Sequence, residues 1–131
     1  LERVGARWYA QLEQGLDTVI GSQGIQLDPV ASQQLALARI LLLDPKLVIM
    51  DEATAEAGSV GAEALEQAAA EVTRGRTALV VAHRLDQAAR ADRIVVMDDG
   101  RVVEQGSHDE LLDYGGRYKQ LWAAWQKGRQ R

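Results

Sequence analysis

The run Leu47-Val48-Ile49-Met50, followed by Asp51-Glu52, decides the fold of this chain because it is continuously apolar and ends abruptly at two carboxylates. A second apolar run, residues 77–82, ends at His83, and a third covers residues 94–97. Continuous apolar runs of this length are typical of strands that are covered on both faces in a parallel α/β sheet.

The segment between the first two runs predicts the helix that connects a pair of parallel strands. Residues 61–74 carry an apolar stripe at helical spacing, formed by Ala62, Leu65, Ala69 and Val72. Ser59 suits the N-cap of this helix, and Gly75 suits the position just after its C-terminus. We therefore expect an α/β fold with a sheet of mostly parallel strands and flanking helices.

The two ends of the chain add further elements. Residues 1–16 have one apolar face and predict a helix, residues 17–30 predict a long connection, and residues 32–43 are apolar on nearly all sides and predict a buried helix. Asp99-Gly100 is typical of a two-residue hairpin turn, and Ser107 with Glu110 forms a capping-box pattern. The pattern of a terminal helix carries Tyr118, Leu121, Trp122 and Trp125.

Composition excludes several classes of protein. Of 131 residues, 47% are hydrophobic and 26% are charged, which is ordinary for a globular domain. The absence of cysteine excludes a disulfide scaffold, a thiol nucleophile and a cysteine-ligated zinc site. A formal net charge of −4 does not favour a nucleic-acid partner, and no apolar stretch is long enough to predict a membrane span.

Titratable residues follow two of the three predicted strands, at the sheet edge where ligands of α/β proteins bind. Taken alone, Asp51-Glu52 also suits a solvated turn, and His83 alone also suits a packing or capping histidine. On neighbouring strands they favour a shared site. Four apolar residues followed by Asp and Glu form the Walker B pattern, in which the Asp holds Mg²⁺ and the next carboxylate activates a water.

The motifs, taken in order, resemble the ATP-binding cassette (ABC) ATPases over nearly the whole chain. They are residues 33–42, Asp44-Pro45, residues 47–54, residues 75–77, residues 80–85, residues 91–94 and residues 98–111. The last of these is similar to the exporter branch of the family. Residues 15–23 resemble the segment before the family's signature loop. The resemblance implies that Asp51 is the Mg²⁺ ligand, Glu52 the general base and His83 the switch histidine that senses the γ-phosphate of ATP.

The chain departs from the family pattern at the phosphate-binding loop. No lysine follows a glycine anywhere, so the motif G-x-x-x-x-G-K-[ST] is absent from these 131 residues. The resemblance therefore implies the C-terminal half of a nucleotide-binding domain whose N-terminal half is missing. We expect the chain alone not to bind ATP measurably and to self-associate through an uncovered apolar face and an open sheet edge.

The signature loop also departs from the pattern L-S-G-G-Q, which aligns with Leu27, Asp28, Pro29, Val30 and Ala31. In the family this loop holds the γ-phosphate bound to a partner subunit. Here Asp28 would bring a negative charge and Pro29 has no N–H, although Asp28 remains a good N-cap. The resemblance adds Gln33 to the nucleotide-binding set, and Gln34 replaces the usual Arg.

A third departure lies after the Walker B motif, where Gly58 replaces the Asp that acts across the family's dimer, with Glu56 as a partial substitute. The residues for the chain's own ATP site are intact, whereas those offered to a partner's site are altered. We therefore expect an asymmetric or heterodimeric pair of nucleotide-binding domains. An alternative is a lineage in which altered signature loops still work.

These resemblances divide the chain at residue 43. Residues 1–43 would be the end of the helical subdomain and residues 44–131 the C-terminal part of a P-loop ATPase core. The parent would couple ATP hydrolysis to transport through a transmembrane domain, with this part on the cytoplasmic face of the membrane and the chain itself soluble. Two alternatives stay open: half of the ATPase head of a chromosome-maintenance or DNA-repair protein, and a non-enzymatic interaction module.

Overall fold

A computed structural model describes residues 1–51 and 59–129 of the chain. These residues divide into two units, Leu1–Val81 and Ala82–Arg131, which are described separately below. Among the described residues, no helix is long and apolar enough to cross a membrane.

The first unit is built around a parallel strand pair with a crossover helix. Its helices and strands are α1 (Pro29–Leu43), β1 (Leu47–Asp51), α2 (Ser59–Thr73) and β2 (Thr77–Val81). β1 and β2 run parallel, with Leu47 opposite Thr77 and Asp51 opposite Val81. The predicted strand–helix–strand crossover is therefore confirmed, and the described structure is a mixed α/β fold.

The core of the first unit joins α1, α2, β1 and the N-terminal segment. Its buried side chains are Val4, Ala6, Leu37, Ala38, Val48, Met50, Ala68 and Val72. Along β1 the buried and exposed residues alternate, so that Val48 and Met50 face this core. The apolar stripe predicted on α2 is buried as its helical spacing requires, with Leu65 and Val72 inside.

Two expectations about burial are wrong for the described residues. The side chains of Leu42 and Leu43 at the end of α1 are 87% and 79% exposed, so this helix is not buried on all sides. Ile49 on β1 and Leu79 on β2 are 65% and 58% exposed, so the sheet is not covered on both faces. The physical reason is that the described core covers one face of β1 only, through Val48 and Met50, and all five residues of β2 are exposed.

The helix predicted over residues 1–16 is also wrong. Three short 3₁₀ helices replace it, at Glu2–Val4, Trp8–Gln11 and Gly15–Asp17. Gly5 adopts a left-handed conformation with φ of 73°, which ends the first turn and redirects the chain. The apolar face predicted for this segment nevertheless packs on the core, through Val4 and Trp8.

The second unit contains an antiparallel hairpin followed by two helices. Its elements are α3 (Leu85–Ala88), β3 (Ile94–Asp98), β4 (Arg101–Gly106), α4 (His108–Tyr114) and α5 (Arg117–Arg129). Asp99 and Gly100 both have positive φ, 46° and 73°, which the tight turn of a two-residue hairpin demands. The predicted hairpin is thus confirmed.

Local capping signals define the helices of the second unit. The Ser107 hydroxyl accepts a hydrogen bond from the Glu110 N–H at 3.3 Å, and the Glu110 carboxylate accepts one from the Ser107 N–H at 2.8 Å. This reciprocal arrangement confirms the predicted capping box. The Glu104 carboxylate accepts from the backbone N–H groups of Arg117 and Tyr118 and so caps α5. Ile94, Val96, Leu111 and Tyr118 form the buried core.

Candidate nucleotide-binding site

The edge of the β1–β2 pair carries the first residue of the candidate site. Asp51 is the last residue of β1, it is exposed, and it lies opposite Val81, the last residue of β2. Because the two strands are parallel, both end at the same edge of the sheet. The alternation along β1 explains the exposure of Asp51, since Val48 and Met50 turn inward and the intervening positions turn outward.

His83 follows the end of β2 by two residues and is the second residue of the second unit. Its side chain is exposed, in the short bend between β2 and α3. Glu52, the remaining residue assigned to this site, lies outside the described residues, as do Glu56 and Gly58 of the segment offered to a partner's site. Their roles, like those of Asp51 and His83, stay predictions from the resemblance.

The segment aligned with the signature loop leads directly into α1. Asp28 is the N-cap of this helix, and its Oδ1 accepts a hydrogen bond of 2.8 Å from the Ala31 N–H. Pro29 occupies the first helical position, where its missing N–H costs nothing. The N-cap role predicted for Asp28 is therefore confirmed.

This cap changes what the N-terminus of α1 offers to an external anion. Ala31 donates its N–H to Asp28, Pro29 has no N–H to donate, and the Asp28 carboxylate adds a negative charge. Leu27 and Val30 are half-buried and Ala31 is buried, so the apolar members of the segment face the protein. The Asp28 side chain therefore takes up the Ala31 N–H that an external anion would otherwise receive.

Gln34 has a structural role that the sequence pattern did not indicate. Its buried side chain donates from Nε2 to the carbonyl oxygen of Val4 at 3.3 Å. Its Oε1 accepts from the indole N–H of Trp8 at 3.1 Å. Gln33, which the resemblance assigns to nucleotide binding, is half-buried beside it. The only sequence feature that could have indicated this role is the position of Gln34, a polar residue on the apolar face of a predicted helix.

Asp51 is the described residue that the resemblance assigns to Mg²⁺ binding. Within residues 1–51 and 59–129, no cluster of three or more His, Cys, Asp or Glu side chains could hold a metal ion. A single exposed carboxylate at a strand end fits Mg²⁺, which is usually held by one or two carboxylates together with substrate phosphates and water. Asp51 is thus chemically suited to the ligand role that the resemblance implies.

The motifs and the fold are matched by known transporters. The chain is 47% identical over 112 residues to an ATP-dependent lipid A-core flippase of Alcanivorax borkumensis, covering 86% of the chain and 19% of that protein. It is 49% identical over 111 residues to the flippase of Alkalilimnicola ehrlichii, covering 85% of the chain and 19% of that protein. No protein-family model matches the chain.

A solved structure gives the same result. A bacterial Atm1-family ABC exporter with ATP bound is 36% identical, with a TM-score of 0.78 over 94% of this chain and 22% of that one. The resemblance to ABC exporters is therefore confirmed: the chain is homologous to a part of these transporters. The particular relatives found by sequence are ATP-dependent lipid A-core flippases, and the chain spans about one fifth of their length. These relatives do not favour the chromosome-maintenance alternative.

Proposed function

We propose that this chain is part of the ATP-hydrolysing domain of an ABC exporter, on the cytoplasmic face of the membrane. The observation that carries the proposal is the parallel register of β1 and β2, in which Asp51 ends one strand opposite Val81 and His83 follows the other. The similarity to ATP-dependent flippases and to an ATP-bound exporter supports it.

Each site residue has a chemical task in this proposal. Asp51 would hold Mg²⁺, which when bound offsets the negative charge of the phosphates. The Glu52 carboxylate accepts a proton from the attacking water, for which general-base catalysis typically supplies about 10²- to 10⁴-fold in rate. His83 senses the γ-phosphate of ATP, because its hydrogen bond forms only when that phosphate is present.

The remaining part of the ATP site must come from elsewhere in the exporter. The 131 residues contain no Gly-Lys pair and hence no phosphate-binding loop of the Walker A type. We infer that another segment of the same exporter supplies this loop, and that a transmembrane domain and a second nucleotide-binding domain complete the transporter.

The two ATP sites of such a dimer would be unequal. Asp28 occupies the Ala31 N–H, and Pro29 has none, so the signature segment of this chain is poorly suited to bind a partner's phosphate. Gly58 in place of Asp adds to this difference. The site that contains Asp51, Glu52 and His83 would hydrolyse ATP, and the partner's site would be slow.

The test is ATP turnover by the full-length exporter that carries this chain. We expect Glu52→Gln to lower kcat by about 10²- to 10⁴-fold, the range for loss of a general base. Glu63→Gln, which removes the same charge from an exposed position on α2, is the matched control and should leave kcat unchanged. Loss of less than tenfold with Glu52→Gln would refute the assignment.

The same assay tests the inequality of the two sites. The equivalent acid-to-amide change in the partner domain is expected to reduce turnover far less than Glu52→Gln does. Equal losses from the two changes would show that both sites hydrolyse ATP, and the proposed asymmetry would be wrong.

A further inference from the structure

A continuous row of ring and guanidinium contacts begins at His108 of α4 and runs along the C-terminal helix α5. The His108 ring meets Trp122 edge-on with centroids 4.5 Å apart, and Trp122 contacts Trp125 at 4.9 Å. The Arg129 guanidinium lies over the Trp125 ring, 4.7 Å from its centroid. Such contacts between rings, and between a cation and a ring, are attractive and fix the direction of the side chains. The row therefore orients Arg129.

The far end of this row reaches Asp86. Nη1 of Arg129 lies 3.7 Å from Oδ2 of Asp86, whose side chain is 20% exposed. Arg84 makes a two-pronged ion pair with the same carboxylate, from Nη2 to Oδ2 at 2.5 Å and from Nε to Oδ1 at 3.2 Å. The Gln87 N–H also donates to Oδ1, at 3.0 Å. Asp86 thus joins α5 to the first turn of α3.

The electrostatics keep this carboxylate ionised. Burial raises the pKa of Asp86. The hydrogen bond and charge of Arg84, the Gln87 N–H and the charge of Arg129 lower it by more, so the net shift of the pKa is downward. The carboxylate remains negative through the neutral pH range, as an ion pair with Arg129 requires.

A second contact holds the same segment from the apolar side. Leu85 packs against the core of the second unit, whose partly buried members include Trp122 of α5. Leu85 is therefore held by a core to which α5 contributes Tyr118, and Asp86 is held by the charge of Arg129 on α5. They begin two residues after His83, whose own side chain is exposed in the bend.

We propose that α5 positions the His83 loop, with Trp125 and Arg129 acting through Asp86 as positioning residues. This inference rests on the proposed role of His83 in ATP hydrolysis. An exposed histidine that must meet a phosphate needs a fixed backbone, because small displacements of a catalytic group cost large factors in rate. The row on α5 restrains that backbone from outside the nucleotide site.

The first measurement is amide hydrogen exchange of residues 82–88 in the full-length exporter. We expect Arg129→Gln to speed this exchange by about two- to fivefold, the effect of losing a partly exposed ion pair. Lys127→Gln removes the same charge from an exposed position on the same helix and should leave exchange unchanged. Equal exchange in the two variants would overturn the proposed restraint.

The second measurement separates positioning from stability. Arg129→Gln should lower kcat for ATP while KM stays constant, and Arg129→Lys, which keeps the charge, should restore much of the loss. Unchanged kcat despite faster exchange would refute positioning. His83→Ala tests the proposed function itself: if this change leaves turnover intact, the role of His83 fails, whereas the exchange result still decides whether α5 restrains the loop.

Discussion

At the scale of single residues, the motif positions divide between proposed chemistry and observed structure. Asp51 is exposed at the end of β1, the position that the resemblance assigns to the Mg²⁺ ligand. Gln34 is buried and joins α1 to the N-terminal segment through Val4 and Trp8. A Gln side chain suits this place because it both donates and accepts, whereas the Arg usual in the family can only donate.

The residue-scale prediction concerns Gln34. Gln34→Leu would leave the Val4 carbonyl without its buried partner, at a cost of about 1–3 kcal/mol, and would also remove the less buried hydrogen bond of the Trp8 indole N–H. We therefore expect a loss of about 1–3 kcal/mol in the free energy of unfolding, measured by urea titration with tryptophan fluorescence. Gln33→Leu, at the half-buried neighbouring position, serves as the control. Equal midpoints for the two variants would contradict the role of Gln34.

At the scale of elements, short local signals define most boundaries. α1 begins at Pro29 because Asp28 caps it, and it ends at Leu43, before Asp44 turns left-handed with φ of 46°. The β3–β4 hairpin turns at Asp99-Gly100, and Ser107 starts α4. The N-terminal segment is the exception, because Gly5 interrupts an otherwise helical spacing.

The element-scale prediction concerns the start of α1. Asp28→Ala removes the acceptor for the Ala31 N–H and should reduce the free energy of unfolding by about 0.5–2 kcal/mol. Asp28→Ser keeps a capping oxygen, so it should retain most of that stability. Thermal or urea unfolding of both variants checks this. If Asp28→Ser were as destabilising as Asp28→Ala, the cap would not be the source of the effect.

At the scale of the whole molecule, the exposed apolar surface is the main feature. Ile49 and Leu79 lie on the outer face of the β1–β2 pair, and Leu42 and Leu43 end α1 in the open. Exposed apolar surface that stays contiguous promotes association, because its burial removes it from water. In the proposed exporter, other segments would cover it.

The corresponding prediction is that the 131-residue chain self-associates in solution. Light scattering over a concentration series should give an average mass above that of one chain. Replacing Ile49 and Leu79 together by Thr, a β-branched residue that suits a strand but carries a hydroxyl, should shift the mass toward the monomer. Leu16→Thr, which changes an equally exposed leucine outside the sheet, is the control. A monodisperse monomer of the unchanged chain would contradict the prediction.

Features that depend on neighbours along the chain could be predicted from the amino-acid sequence. Runs of apolar residues located β1, β2 and β3, and the cap at Asp28 and the turn at Asp99-Gly100 were readable because their hydrogen bonds or dihedral angles involve adjacent residues. The candidate site residues came from the ordered motifs, and the structure places one of them, Asp51, at the end of β1 opposite Val81.

Features that depend on contacts between residues distant in sequence required the three-dimensional structure. The interaction of Gln34 with Val4 and Trp8, the exposure of Ile49, and the reach of Arg129 to Asp86 all join segments that the chain separates. Spacing along one element specifies which side chains share a face. It does not specify what covers that face, because packing is a property of the elements that meet there.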